Sequence, residues 1–203
     1  MTESPQQVIG FDVDGDCYLN ITNRCTLRCD HCPKFQGDWN CNGHDLQLHR
    51  EPTVSEILDA VGNPMSWEYV VFSGFGEPTL RLYDMLEVSR RVHGMGGKVR
   101  LETDGLASIF FGRDIAPDLE GNIETLVVSI KAQDSDTYEK ICKPKIKRAH
   151  EAVIEFVRQA KEYVPNIIVS AMADTEGVDL AACQRLAKDL EVDFTARAPY
   201  HYC

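Results

Sequence analysis

Residues 123–131, Ile-Glu-Thr-Leu-Val-Val-Ser-Ile-Lys, form a nearly continuous β-branched and apolar run. A strand that is apolar at both alternating sets of positions has to be covered on both faces, the situation of a strand inside a parallel sheet packed under helices. Further strand-like runs lie at 16–22, 69–72, 98–103, 166–171 and 192–196. Between them, apolar residues recur at helical spacing: Leu82, Met85, Leu86 and Val92, then Val153, Phe156, Val157 and Ala160, then Leu180, Cys183, Leu186 and Leu190. Thr53 and Glu56 make a capping box that opens another helix.

Strands and helices alternating at this length build a parallel sheet by right-handed crossovers. Six such units are two short of a closed eight-stranded barrel. The expected fold is therefore α/β, an open partial (β/α)6 TIM-like barrel with a parallel six-stranded sheet. It is expected as one domain over residues 1–203, with 1–14 as an N-terminal extension. In parallel barrels the chemistry gathers at the C-terminal strand ends, and Cys25, Glu77, Thr103, Ser129 and Arg197 all follow such ends, with Tyr200 and His201 close behind the last.

The formal charge of −11 is spread along the chain. A nucleic-acid partner demands a basic face, and the one dense basic stretch, Lys140 to Arg148, reads as a solvated loop and helix start or as a seat for an anionic substrate. Nucleic acid is thus set aside as a partner. No run approaches the ~20 apolar residues of a membrane span, and residues 1–10 lack the apolar core of a secretory signal. A cytoplasmic protein without membrane association is expected.

Directly after the first strand, Cys25, Cys29 and Cys32 stand in C-x-x-x-C-x-x-C spacing. A cubane iron–sulfur cluster takes a ligand on each of four irons, so three thiolates leave one iron open. A Cys3His zinc site completed by His31 or His44, and plain buried thiols, are the competing readings. A second motif bears on the choice. Strand 69–72 runs into Gly74-Phe75-Gly76-Glu77-Pro78, where glycines let backbone come close to a ligand and a carboxylate can accept hydrogen bonds from an ammonium. Neither a zinc site nor a thiol core calls for this segment. Of the other cysteines, Cys17, Cys142 and Cys183 read as small buried hydrophobes, and Cys41 and Cys203 also as extra ligands or reactive thiols. The long stretch 35–50 has no periodicity, and Trp39, His44 and His49 in it read equally as substrate-facing groups or loop anchors.

The cysteine triad and the G-x-G-E-P segment resemble those of the radical S-adenosylmethionine (SAM) superfamily. More finely, Tyr18 to Cys25, Arg50-Glu-Pro-Thr53, Gly74 to Arg81 and Gly112-Arg-Asp114 resemble the radical SAM proteins associated with the TatD hydrolase family. The resemblance implies a [4Fe-4S] cluster on Cys25, Cys29 and Cys32. It implies that SAM is cleaved reductively to methionine and a 5'-deoxyadenosyl radical, which takes hydrogen from a small-molecule or peptide substrate. It places SAM contacts at His31, Gly74, Phe75, Gly76, Glu77, Thr103, Asp104, Ser129, Lys131 and Arg197, with the catalytic hydrogen donor unassigned. Asp104 stands where many members have an asparagine, and His31 where an aromatic residue is common. Implied partners are an electron donor such as flavodoxin or ferredoxin and, as a protein partner, a TatD-type hydrolase or a glycyl radical enzyme. An activase that installs a glycyl radical and a 7-carboxy-7-deazaguanine synthase are the alternative enzymes. In the first of these comparisons Ser129-Ile-Lys131 departs from D-L-K, and in the second Pro33 and Lys34 stand where that synthase places a magnesium-binding hydroxyl. An iron–sulfur electron carrier would not need the G-E-P segment.

Overall fold

The computed structural model describes residues 7–197. Its strands are β1 (Gly10–Val13), β2 (Asp16–Asn20), β3 (Asn40–Cys41), β4 (His44–Asp45), β5 (Val70–Ser73), β6 (Val99–Thr103), β7 (Thr125–Lys131), β8 (Asn166–Met172) and β9 (Asp193–Arg197). The helices are α1 (Val54–Val61), α2 (Leu82–Gly94), α3 (Ala107–Phe111), α4 (Ser135–Cys142), α5 (Ala149–Ala160) and α6 (Leu180–Asp189). The main sheet runs in the order β1-β2-β5-β6-β7-β8-β9, and every pairing from β2 to β9 is parallel. Because each parallel strand lies beside the next in sequence, the sheet winds one way only, as in a partial TIM barrel. Its strand ends therefore gather at one rim.

The expected six-stranded parallel sheet is present, with one addition. β1 pairs antiparallel with β2, so residues 10–13, read as part of an N-terminal extension, belong to the sheet edge. The cause is the two-residue turn Asp14-Gly15, whose φ angles of 53° and 90° are both left-handed, as a type I′ hairpin requires. β3 and β4 form a small hairpin inside the stretch read as irregular. α3 and α4, which the sequence pattern did not bring out, fill the connections after β6 and β7.

The core explains the strand pattern. β5 is buried at all four positions, and in β7 Leu126, Val128 and Ile130 enter the main core while Val127 is covered from the other face. α1 starts on the predicted capping box, with Thr53 accepting from the Glu56 N–H and the Glu56 carboxylate accepting from the Thr53 N–H at 2.8 Å. Among the described residues, no helix is long and apolar enough to cross a membrane.

Candidate functional site

The two motifs interlock at the rim. A Cβ on Gly76 would lie 1.9 Å from the carbonyl oxygen of Thr22, so only glycine lets the loop after β5 lie on the chain that enters the cysteine loop. The Glu77 N–H donates to the Arg24 carbonyl at 2.7 Å. Lys34, just past the third cysteine, is buried and donates to the carbonyls of Phe75 at 2.5 Å and Asn23 at 3.1 Å. Glu51 braces the same entry, accepting from Thr22 at 2.7 Å and pairing with Arg24 at 2.7 Å and Arg81 at 3.7 Å.

Every site residue expected from the sequence lines one cavity of about 110 Å³: Cys25, Cys29, Cys32, His31, Gly74 to Glu77, Thr103, Asp104, Ser129, Lys131 and Arg197. Leu27, Pro33, Ser73 and Glu102 complete its lining. A β-bulge between Ser129 and Lys131 and a left-handed φ of 66° at Lys131 turn the end of β7 toward this space. A wider groove of about 1060 Å³ lies beside Val164 to Ile167 and Glu191 to Phe194. It sits at the entering ends of β8 and β9, the face where parallel barrels rarely keep chemistry.

Glu77, read from sequence as an acceptor for an ammonium, already has four donors inside the protein. Its Oε1 accepts from the Thr79 N–H (3.1 Å), the Thr79 hydroxyl (2.5 Å) and the Thr103 hydroxyl (2.8 Å), and Oε2 accepts from the Asp104 N–H (2.7 Å). Through those four bonds, three on Oε1 and one on Oε2, Glu77 ties the loop after β5 to the end of β6. Asp104 in turn accepts from the Leu106 N–H at 3.0 Å and from the Thr26 hydroxyl, and its Oδ2 lies 4.0 Å from Cys25 Sγ. Burial and the nearby Asp104 raise Glu77, and burial raises Asp104, so the pair keeps a proton in the neutral range.

The three thiols are not equivalent. Burial, with Asp104 next, pushes Cys25 well above the ordinary thiol range, and burial raises Cys32 less far. Cys29 is lowered, chiefly because the Cys142 thiol hydrogen-bonds to it, with Lys131 helping against burial. His31 is lowered to about 4 by burial and by Lys131, and is neutral at physiological pH. Glu102 accepts from Arg197 at 2.6 Å and from Ser73 at 3.1 Å. A second cavity of about 770 Å³, lined by Tyr18, Arg100 and Thr125 among others, shares Glu102 and Arg197 with the first.

Other candidates resolve as anchors. Trp39 packs edge-on against Phe75 and His44 against Phe11, which holds the β3–β4 hairpin beside the rim. His44 is thus no partner for the cysteines. Cys41 is buried and disulfide-bonded, so it is not the free thiol or ligand considered from sequence. Tyr200, His201 and Cys203 lie outside the described residues. Sequence reasoning missed Lys34 as a bridge, and Tyr138 and Cys142 behind the cysteine loop.

The sequence profile of the radical SAM superfamily matches residues 19–189. The chain is 29% identical over 140 residues to a tungsten-containing aldehyde ferredoxin oxidoreductase cofactor-modifying protein of Pyrococcus furiosus, covering 62% of this chain and 38% of that one. It is 32% identical over 127 residues to a GTP 3',8-cyclase of Lactiplantibacillus plantarum, covering 61% and 35%. The chain therefore spans little more than a third of the length of these curated relatives. Among solved structures, Streptococcus suis SuiB bound to S-adenosylmethionine superposes with a TM-score of 0.63 at 14% identity, over 90% of this chain and 40% of that one.

Proposed function

Because the chain belongs to the radical SAM superfamily, we propose that Cys25, Cys29 and Cys32 hold a [4Fe-4S] cluster and that the rest of the rim cavity receives SAM. The observation that carries this reading is the convergence of three thiols from one loop with the ends of β5, β6, β7 and β9 on a single cavity. The donor set suits a cluster better than one metal ion. Among the described residues, no three His, Cys, Asp or Glu side chains converge on one point, whereas a cubane spreads its thiolates over separate irons. Lys34 and Lys131 supply positive charge beside the thiolates. Among the described residues, the buried Tyr138 hydroxyl has no hydrogen-bond partner, and Cys142, Asp104, Cys29 and Cys25 all act on it electrostatically. A buried hydroxyl of this kind calls for an acceptor that the protein itself does not provide.

When bound, the cluster supplies the electron that splits SAM into methionine and a 5'-deoxyadenosyl radical for hydrogen abstraction. The chain's own residues bind and orient. The main chain of Gly74 to Gly76 forms the wall that the methionine amine approaches, and Glu77 fixes that wall against Thr103 and Asp104. Neutral His31 offers a flat ring for adenine without adding charge. Ser129 and Lys131 meet the ribose and the carboxylate. Arg197, braced by Glu102, stands between this cavity and the larger one, which we assign to a small-molecule or peptide substrate. SuiB, crystallised with a precursor peptide, illustrates the peptide case in a protein of similar fold. The two curated relatives carry different activities, so the match carries the family rather than the substrate.

The finer likeness to TatD-associated members rests on segments 18–25, 50–53, 74–81 and 112–114, and its support is that residues of the first three meet around Glu51. Electrons would come from a flavodoxin- or ferredoxin-type donor. The deciding experiment is anaerobic reconstitution, iron and sulfide analysis, and an assay for 5'-deoxyadenosine with SAM and a reductant. A protein that takes up zinc in place of iron, or a loaded cluster that yields no 5'-deoxyadenosine, overturns the reading.

A further inference from the structure

Behind the cysteine loop, α4 carries two polar groups that the proposed SAM chemistry does not use. Tyr138 and Cys142 lie four residues apart on one face of the helix, and both are completely buried. Neither lines the cavity. The end of α4 is fastened to the residues on either side of Cys29: the Arg28 N–H donates to the Cys142 carbonyl at 3.0 Å, and the Asp30 N–H to the Ile141 carbonyl at 2.9 Å. These two bonds hold the last turn of α4, which carries Cys142, against the Cys29 segment, close enough for the Cys142 thiol to lower Cys29. Tyr138 is held by its ring, 5.4 Å from His150, whose Nε2 lies 3.0 Å from the Ala132 carbonyl oxygen. Its hydroxyl is left without a partner among the described residues.

A buried hydroxyl without a partner costs free energy in the empty protein, and a thiol packed beside a cysteine ligand is in place to donate to it. Both features make sense when the loop is metallated. The thiolates and sulfides of a cluster are acceptors, and donors directed at them favour the reduced, more negative state, which raises the reduction potential. Resting on the cluster assignment above, we infer that α4 is a donor platform for the cluster. In it the Cys142 S–H bonds to the Cys29 ligand, the Tyr138 O–H points to the same side, and the pair sets how readily the cluster accepts its electron.

The test is potentiometric electron paramagnetic resonance on anaerobically reconstituted wild type, Cys142→Ala, Cys142→Ser and Tyr138→Phe, with iron and sulfide measured on each. Cys142→Ala is expected to lower the reduced-to-oxidised ratio at fixed potential roughly tenfold, equivalent to about 59 mV for one electron. Cys142→Ser keeps a donor and returns most of that change. Tyr138→Phe shifts the ratio the same way by about threefold, while the empty protein melts no lower than wild type because only an unpartnered hydroxyl is gone. A purely structural role predicts the reverse for Tyr138→Phe, a lower melting temperature with an unmoved potential. Loaded Cys142→Ala and Tyr138→Phe proteins with wild-type potentials overturn the inference, as does a serine variant shifted as far as the alanine one. Should Cys142→Ala not load, pulsed spectra of wild type in H2O and D2O decide, because the inference requires an exchangeable proton coupled to the reduced cluster that Tyr138→Phe or Cys142→Ser alters. A wild type that holds no four-iron cluster instead refutes the cluster assignment itself.

Discussion

The cysteine loop has two sides, built by different means. Its front meets the strand ends of the rim, where Glu77, Thr103, Asp104, Ser129 and Lys131 line the cavity. Its rear rests on α4, where Tyr138 and Cys142 are enclosed by the core. The front follows from short-range spacing, because ligand and cofactor contacts have to recur at fixed offsets from a strand end. The rear follows from tertiary packing alone. Binding a cluster and tuning it are thus separable properties of one loop, and substitutions on the two sides should fail in different ways.

The largest effect separates the sides outright. Cys25→Ala, Cys29→Ala or Cys32→Ala should each abolish the brown iron–sulfur chromophore, whereas Cys142→Ala should retain it. Absorbance and iron analysis after identical reconstitution check this, and a chromophore that survives loss of Cys29 but not of Cys142 would exchange the roles of front and rear. Next in size is Gly76→Ala. Its Cβ would meet the Thr22 carbonyl oxygen at 1.9 Å, and backbone cannot yield as a side chain does. A penalty of about 1–3 kcal/mol or more is expected, equivalent to a melting temperature lower by roughly 2–12 °C in a chain of this size. Cluster uptake should fall with it, since Thr22 and Arg24 lead into the triad. An unchanged melting temperature would mean that the two motifs are less tightly interlocked than their contacts require.

Why the front was legible and the rear was not can be read from particular residues. C-x-x-x-C-x-x-C, G-F-G-E-P and the ends of β6 and β7 are local patterns, and the cavity gathers all of them. The long helices and the Thr53 capping box were equally readable, because periodicity over ten or more residues and a cap with its partner three residues on are local as well. α4 has only eight residues, with buried Tyr138, Ile141 and Cys142, and so short a stripe does not stand out from a polar loop. Its Asp134 cap, which accepts from the Thr137 N–H at 2.8 Å, was the available signal. β1 was missed although Asp14-Gly15 is a strong hairpin cue, because a four-residue strand carries little pattern of its own. The internal bonding of the Glu77 carboxylate was beyond reach of sequence, since two of its four bonds come from residues 26 and 27 positions away.

That internal bonding makes Glu77→Gln a sharper probe than a simple loss of charge. Burial and the nearby Asp104 hold the folded pKa of Glu77 at about 8 against an ordinary 4.5. The folded state therefore binds more protons than the unfolded one between those values, and this group's contribution to stability is lost as pH rises through that window. The empty wild type should melt lower at pH 8 than at pH 5, and Glu77→Gln should flatten that slope. The variant should also start from a lower melting temperature at pH 5, because its amide sets an N–H donor among groups that donate to the carboxylate. A slope that persists in the variant would place the titration elsewhere.

The smallest effect tests the end of β7. Lys131 lines the cavity at the front of the loop, and its ammonium acts electrostatically on Asp104, Cys29 and His31. Burial and Lys131 are the two causes that hold His31 near 4. Removing the cation should therefore raise the His31 pKa toward its ordinary value, though not to it, since burial remains the larger cause. Nuclear magnetic resonance titration of the His31 ring in the empty Lys131→Met protein reads this directly. The same substitution should weaken SAM binding by about 10- to 100-fold if the ammonium meets the SAM carboxylate, the value of a hydrogen bond to a charged group being about 1.5–3 kcal/mol. Its melting temperature should stay near that of wild type, because a methionine fills similar volume. A brace would reverse the pattern: SAM would bind normally, the melting temperature would drop by several degrees, and the functional assignment of Lys131 would fall.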